Sequence, residues 1–229
     1  MSITCLIPSH NDSAYLSLLL PQILQIELIS QVVVVDDGTH PPLNGTPLKK
    51  HRNLELVTLK KNVGKASAIH SALRLAKHDT ILLLDADIVL IDIIMLERYI
   101  KYFQENRVDL LIFPCRILYL FNRLVRHNIL FAGPRLIQRD LLKKVFEEET
   151  PSRYQLEIAI NRFMLRHNKR VKHGFLDYTP ILKSHKVGHI QALISNMKMI
   201  SNVLSYRFPS YLSQLFFFGH SRVTLCHRR

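Results

Sequence analysis

The chain has 229 residues, 48% of them hydrophobic, which allows one substantial core and leaves too little for several large domains. Three widely spaced cysteines, Cys5, Cys115 and Cys226, form no CxxC pair, which argues against a disulfide scaffold or a thiolate metal site and for a reducing compartment. The net charge of +13 is unevenly placed: residues 1–97 carry 8 Lys+Arg against 10 Asp+Glu, and residues 98–229 carry 23 against 8. All the excess positive charge therefore lies in the later part, where it calls for an anionic partner such as phosphates or an acidic membrane surface.

The first 114 residues alternate between two hydrophobic periods. Strand-like runs fall at 3–8, 32–36, 54–59, 80–85 and 110–114. Between them, Ile69, Ala72, Leu73 and Ala76 follow the spacing of one buried helix face, and Ile93, Leu96, Ile100 and Phe103 form a second such stripe. This rhythm predicts an α/β fold, a mainly parallel sheet with helices on both faces. Later the pattern changes. A helix is expected over 136–146, another from about 151 to 167, where Ser152 and Gln155 have capping-box spacing, and an extra strand over 171–178. Residues 190–204 are amphipathic, and a Phe-rich stretch, Leu215 to Phe218, follows Pro209. No run of about 18 uncharged apolar residues suggests a membrane-crossing helix. No basic n-region or cleavage site suggests a secretory signal.

Chemistry concentrates where strands end. Val32 to Val35 runs into Asp36-Asp37-Gly38, and Ile81 to Leu84 runs into Asp85-Ala86-Asp87. In open α/β sheets ligands bind at the carboxyl ends of the strands, so these acids should share one cleft. Carboxylates gathered there need a compensating cation. Mg²⁺ or Mn²⁺ needs only one or two protein carboxylates when a substrate diphosphate supplies further oxygens, which makes Asp85 and Asp87 the candidate metal ligands. Each motif also has a plain reading as a solvated turn. Asn62-Val63-Gly64-Lys65 opens a helix, and a helix N-terminus beside a lysine suits a diphosphate or a base, although the P-loop spacing is absent.

Taken in order, Pro8-Ser9-His10-Asn11-Asp12, Asp36-Asp37-Gly38, Asn62-Val63-Gly64-Lys65 and Asp85-Ala86-Asp87 resemble the family 2 glycosyltransferases, which have the Rossmann-like GT-A fold. The resemblance is close over the first 90 residues and looser to about residue 190. It implies a nucleotide-sugar site made by Pro8, Asp12, Asp36, Asp37, Gly38, Asn62, Lys65 and Asp85. It also implies metal and diphosphate binding by Asp85 and Asp87, with Asp87 counted among the catalytic residues. The expected reaction is metal-dependent sugar transfer with inversion at the anomeric carbon. Tyr154-Gln155-Leu156-Glu157-Ile158, Arg162 and His185-Lys186-Val187-Gly188 look like the polyprenyl-phosphate sugar synthases within that family. By the same likeness, the stretch from Gly133-Pro134-Arg135 to Arg139-Asp140 carries phosphate-binding arginines. Two features depart from those relatives: Thr39 stands where Ser is common, and aliphatic residues follow the Asp-x-Asp where Gln is common. The chain has no Trp, and so lacks the Gln-x-x-Arg-Trp of processive synthases.

The acceptor sets the role of Glu157. A hydroxyl acceptor needs a general base, and Glu157 is the candidate. A lipid phosphate needs cations instead, for which Arg116, Arg135 and Arg139 are the candidates, with Arg123 and Arg126 nearby. The charge distribution favours a polyprenyl-phosphate or lipid-linked acceptor, with a sugar hydroxyl as the alternative and a catalytically silent membrane-surface protein as the third reading. The expected organisation is a transferase domain over 1–189, divided into a nucleotide-sugar half at 1–114 and an acceptor half at 115–189. A helical, basic extension over 190–229 completes the chain. The expected location is cytoplasmic, peripheral on the inner membrane face, in cell-envelope biosynthesis. No nucleic-acid partner is expected, since acidic strand ends repel phosphate and no aromatic-basic interleaving is present. A zinc site at His185 and His189 lacks a third ligand at suitable spacing.

Overall fold

The computed structural model describes residues 2–43, 51–114, 127–181, 201–202 and 214. Expectations for Arg116, Arg123, Arg126, His185 to Gly188 and most of the 190–229 extension therefore lie outside the described residues.

Seven strands form one sheet in the order β3-β2-β1-β4-β7-β6-β8. The strands β1 (Ile3–Ser9), β2 (Ile29–Asp36), β3 (Leu54–Thr58) and β4 (Thr80–Leu83) are mutually parallel. Between β4 and β6 (Leu110–Ile112) lies β7 (Arg135–Gln138), antiparallel to both, and β8 (Val171–His173) completes the edge parallel to β6. The mainly parallel α/β sheet is the one expected. Strands from before residue 114 and after residue 135 interleave in it, so the two expected halves share one sheet.

Alternation along the strands builds two cores. Cys5, Ile7, Val32, Val34, Leu82 and Leu111 face α1 (Ser13–Leu24) and α3 (Ile93–Glu105). Leu6, Val33, Val35, Ile81, Leu83 and Ile137 face α2 (Lys65–Leu73), α5 (Arg139–Glu149) and α6 (Leu156–Arg166), with the short α4 (His127–Leu130) alongside. Because the central strands are covered on both faces, they read as unbroken aliphatic runs.

A second, two-stranded sheet pairs β5 (Ile88–Ile91) with β9 (Tyr178–Pro180). It leaves the main sheet directly after Asp87, and the Ile181 N–H donates to the Asp87 carbonyl at 2.9 Å. Gln22 of α1 fastens β5 through its side-chain amide: Nε2 donates to the Val89 carbonyl at 2.9 Å, and Oε1 accepts from the Ile91 N–H at 3.1 Å. Asp92 then caps α3 by accepting from the Met95 N–H at 2.9 Å.

Three expectations need correction. Residues 136–138 form β7, and the helix begins only at Arg139, because the backbone groups of 135–138 complete ladders with both β4 and β6. The stretch 171–178 is divided between β8 and β9, in different sheets. At the division lies Gly174, where a Cβ would stand 2.5 Å from the Tyr99 ring. Helix α6 starts at Leu156, so the Ser152–Gln155 pair closes the preceding turn: Ser152 N–H and Oγ both donate to Gln155 Oε1 at 3.0 Å.

Candidate active site

Four loops meet at the carboxyl ends of β1, β2, β3 and β4. After β2, the two neighbouring aspartates act in different directions. Asp36 is fully buried, and its carboxylate accepts from the Thr39 N–H at 3.0 Å and the Leu43 N–H at 2.8 Å, so it folds its own loop. Asp37 reaches across, accepting from the Val63 N–H at 2.7 Å and the Gly64 N–H at 2.8 Å. It thereby holds the residues that open α2. Gly38, at φ +72°, makes the turn possible, since a Cβ there would stand 2.5 Å from the Asn62 nitrogen. Asn62 itself is exposed. The β1 loop joins the same cluster: His10 Nδ1 bonds the Asp37 carbonyl at 2.8 Å, and the Asn11 N–H donates to Thr39 Oγ1 at 3.0 Å. Pro8 and Asp12 are half-buried beside it, and the Asp12 carbonyl accepts from Tyr15 and Leu16 at the start of α1.

Held in this way, Lys65 at the first position of α2 projects into a small cleft. Its Nζ lies 2.5 Å from Asp85 Oδ1 and 2.6 Å from Glu157 Oε1. One ammonium thus bridges the Asp-x-Asp after β4 and the first turn of α6. Burial lowers the Lys65 pKa, but the two carboxylates outweigh it and the net shift is upward, so the lysine is a cation throughout the physiological range. Glu157 is 8% exposed. Its carboxylate also sits favourably at the positive end of α6.

The other oxygen of Asp85, Oδ2, packs against Gly133, where any Cβ would overlap it. Arg135 fixes that turn from below. Fully buried, it donates from Nε and Nη2 to the Ala132 carbonyl, from Nη1 to the Glu157 carbonyl at 3.4 Å and to Asn161 Oδ1 at 3.3 Å. Asn161 in turn donates to the Leu130 carbonyl at 3.1 Å. Burial lowers the Arg135 pKa, and the nearby Glu157 and Asp85 carboxylates oppose that shift.

Two of the expected acceptor contacts are therefore corrected. Arg135 spends its donors on carbonyls and an amide inside the protein and presents no exposed surface to a phosphate. Arg139 lies at the far end of β4, because antiparallel β7 places Arg135 opposite Leu83 and carries the chain away from the cleft. There it pairs with Asp79 at 2.7 Å and donates to the Ala76 carbonyl at 3.2 Å. Arg162 is likewise engaged away from the cleft, with the buried Glu149 at 3.0 Å. Gly133, which the sequence marks only as the start of an arginine-bearing stretch, and Asn161 and Arg153, which no motif marks, are further contributors. Arg153, at φ +47°, lies against Gly64 and accepts from the Ala66 N–H through its carbonyl at 3.1 Å.

The site's donor set fits a hard divalent cation. Asp85 and Asp87 are both partly exposed on one short segment, and all their ligand atoms are oxygens. Among the described residues no group of three or more His, Cys, Asp or Glu is arranged to hold a metal alone, so further ligands would come from substrate or water.

The sequence model described as glycosyl transferase family 2 matches residues 4–169. The chain belongs to that family. No curated protein matches this family 2 glycosyltransferase in sequence. Its fold is similar to that of glucosyl-3-phosphoglycerate synthase from Mycobacterium tuberculosis, solved with phosphoglyceric acid. That match has a TM-score of 0.64 and 14% identity, over 90% of this chain and 79% of that one. The same enzyme with Mn²⁺, uridine diphosphate and phosphoglyceric acid matches at 0.62, again with 14% identity, over 90% and 78% of the two chains. A mannosyltransferase from Pyrobaculum calidifontis with GDP-mannose and Mn²⁺ matches at 0.56 with 21% identity, over 73% of this chain and 53% of that one.

Proposed function

We propose that this glycosyltransferase moves a sugar from a nucleoside-diphosphate donor to a hydroxyl acceptor, with Asp85 and Asp87 binding the donor's divalent cation and Glu157 acting as general base. The observation that carries the reading is the Lys65 bridge, which puts Asp85 and Glu157 on one ammonium at 2.5 and 2.6 Å. The solved structures of similar fold hold Mn²⁺ with UDP or GDP-mannose, which supports a nucleotide-sugar donor and a metal here.

A bound Mg²⁺ or Mn²⁺ supplies charge neutralisation for the departing nucleoside diphosphate. The protein's residues do the rest. The loops held by Asp36 and Asp37 form the nucleotide end, with Pro8, Asp12 and Asn62 at its rim. Lys65 stabilises negative charge on the diphosphate side. Glu157, at the far side of the lysine, takes the proton of the attacking hydroxyl. Inversion follows from one displacement in which acceptor and leaving group occupy opposite faces of the anomeric carbon.

A lipid phosphate acceptor is the second reading. The excess positive charge over residues 98–229 favours it, although Arg135 and Arg139 no longer serve it. Attachment of the amphipathic 190–204 stretch to an acidic bilayer belongs to that reading. No helix among the described residues is long and apolar enough to cross a membrane.

The test is donor hydrolysis and transfer over UDP-, GDP- and dTDP-sugars with Mn²⁺ or Mg²⁺, with and without polyprenyl-phosphate liposomes. Asp85→Asn should abolish metal-dependent donor binding while the melting curve is retained. Glu157→Gln should lower kcat by about 10²- to 10⁴-fold with donor affinity preserved. Full turnover by Glu157→Gln together with stimulation by the lipid would move the assignment to the phosphate acceptor.

A further inference from the structure

We infer that Lys65 is an exchangeable counter-cation: it occupies the charge position of the divalent metal at Asp85 in the free enzyme and moves to the diphosphate when the metal-bound donor enters. The inference rests on the proposed role of Asp85 as a metal ligand. Its ground is the geometry of one side chain. The Lys65 ammonium is in contact with Asp85 Oδ1 and Glu157 Oε1 at once, and its side chain is only 24% exposed. Asp85 Oδ2 is crowded by Gly133, so Oδ1 is the oxygen whose environment can change by motion of a flexible side chain alone.

Two cations cannot share Oδ1 at contact distance without repulsion. A divalent ion approaching without a donor would therefore have to displace the ammonium or bind weakly. A metal that arrives with a diphosphate meets a different balance, because the phosphate oxygens give Lys65 a new anionic partner at a helix N-terminus. Exchange then costs little. It has a second effect, since the lysine that leaves Asp85 also leaves Glu157. The Glu157 carboxylate, no longer covered by the ammonium, is then open to the acceptor's hydroxyl. Donor loading would thus both fill the metal site and uncover the base, which implies an order of binding with donor before acceptor. It would also limit wasteful metal binding by the free enzyme.

The signature of this exchange is a pair of effects of opposite sign in one variant. Lys65→Met should bind Mn²⁺ alone more tightly than the wild type, by about tenfold or more, because a positive charge has left the site. The same variant should bind Mn²⁺ with UDP or GDP more weakly, because the diphosphate has lost its lysine. Mn²⁺ electron paramagnetic resonance gives both affinities at fixed pH without reference to turnover. Lys77→Met removes a lysine at the other end of the sheet and should leave both unchanged. Melting curves for all variants establish that the fold is intact, and Lys65→Gln repeats the measurement should Lys65→Met not fold.

Weaker or equal Mn²⁺ binding by a folded Lys65 variant, with wild-type binding dependent on Asp85, would overturn the exchange and leave the metal assignment standing. Wild-type Mn²⁺ binding that Asp85→Asn leaves unchanged would overturn both.

Discussion

At the scale of single residues, the site depends on an absence as much as on its charges. Gly133 lets Asp85 lean on the backbone of the neighbouring turn, and no other residue leaves that space. Gly133→Ala should push the carboxylate away from Lys65 and weaken Mn²⁺-dependent donor binding. Overpacking there should cost about 1–3 kcal/mol of stability, measured by denaturant unfolding. A variant with unchanged donor affinity would show that Asp85 tolerates displacement. The paired aspartates offer a second contrast. Asp36 serves only its own loop, whereas Asp37 positions the N-terminus of α2 and through it Lys65. Either Asn substitution turns an amide N–H₂ toward a backbone donor and should destabilise by about 1–3 kcal/mol. Both should lower donor affinity at temperatures where they are folded, Asp37→Asn the more because it also frees the residues that open α2, as calorimetry of nucleotide binding would show.

At the scale of elements, β7 and its Arg135 organise the acceptor side. One guanidinium ties the 132–135 turn, which abuts Asp85, to α6, which carries Glu157. Arg135→Met leaves the Ala132 carbonyl and Asn161 without this donor, and should cost about 1–3 kcal/mol by chemical denaturation. Arg139→Met breaks a half-exposed pair at the opposite end of β4, and should cost under about 1 kcal/mol with donor affinity and kcat unchanged. The contrast follows from strand direction, which is also where the sequence was least readable. Val32 to Asp36 and Ile81 to Leu84 announce buried parallel strands because both their faces are covered, and the acids at their ends mark the cleft. Arg135-Leu136-Ile137-Gln138 carries no such mark. It is four residues long, enters α5 without a turn residue, and owes its extended form to the open ladders of β4 and β6 on either side. Glu157 was visible as a candidate from its motif. The lysine bridge was not, because no spacing rule brings residues 65, 85 and 157 together.

At the scale of the whole molecule, charge is arranged by end as well as by chain position. Opposite the cleft, Gln31 links Thr4 to Glu55, and Lys77 completes the network through its own pair with Glu55. The Lys77 hydrogen bond holds the Glu55 carboxyl below its usual range, with burial opposing and Gln31 assisting. A lowered folded-state pKa gives stability that is present above the unfolded value, about 4.3, and lost as pH falls through the lower folded one. Glu55→Gln should therefore flatten the acid side of the stability–pH curve below about pH 4.3 and leave neutral behaviour at the distant cleft unchanged. An acid limb identical to that of the wild type would remove Glu55 from the account.

The small sheet beside Asp87 carries one more consequence. Strand β5 displays Leu90 at 63% exposure, and its outer backbone groups are satisfied by the Gln22 amide, which behaves as a one-residue strand. A strand edge left without such partners invites pairing with another molecule. Loss of the Gln22 side chain would leave the Val89 carbonyl and the Ile91 N–H without these partners, and its expected first sign is lower solubility and expression yield, before any change in sugar transfer.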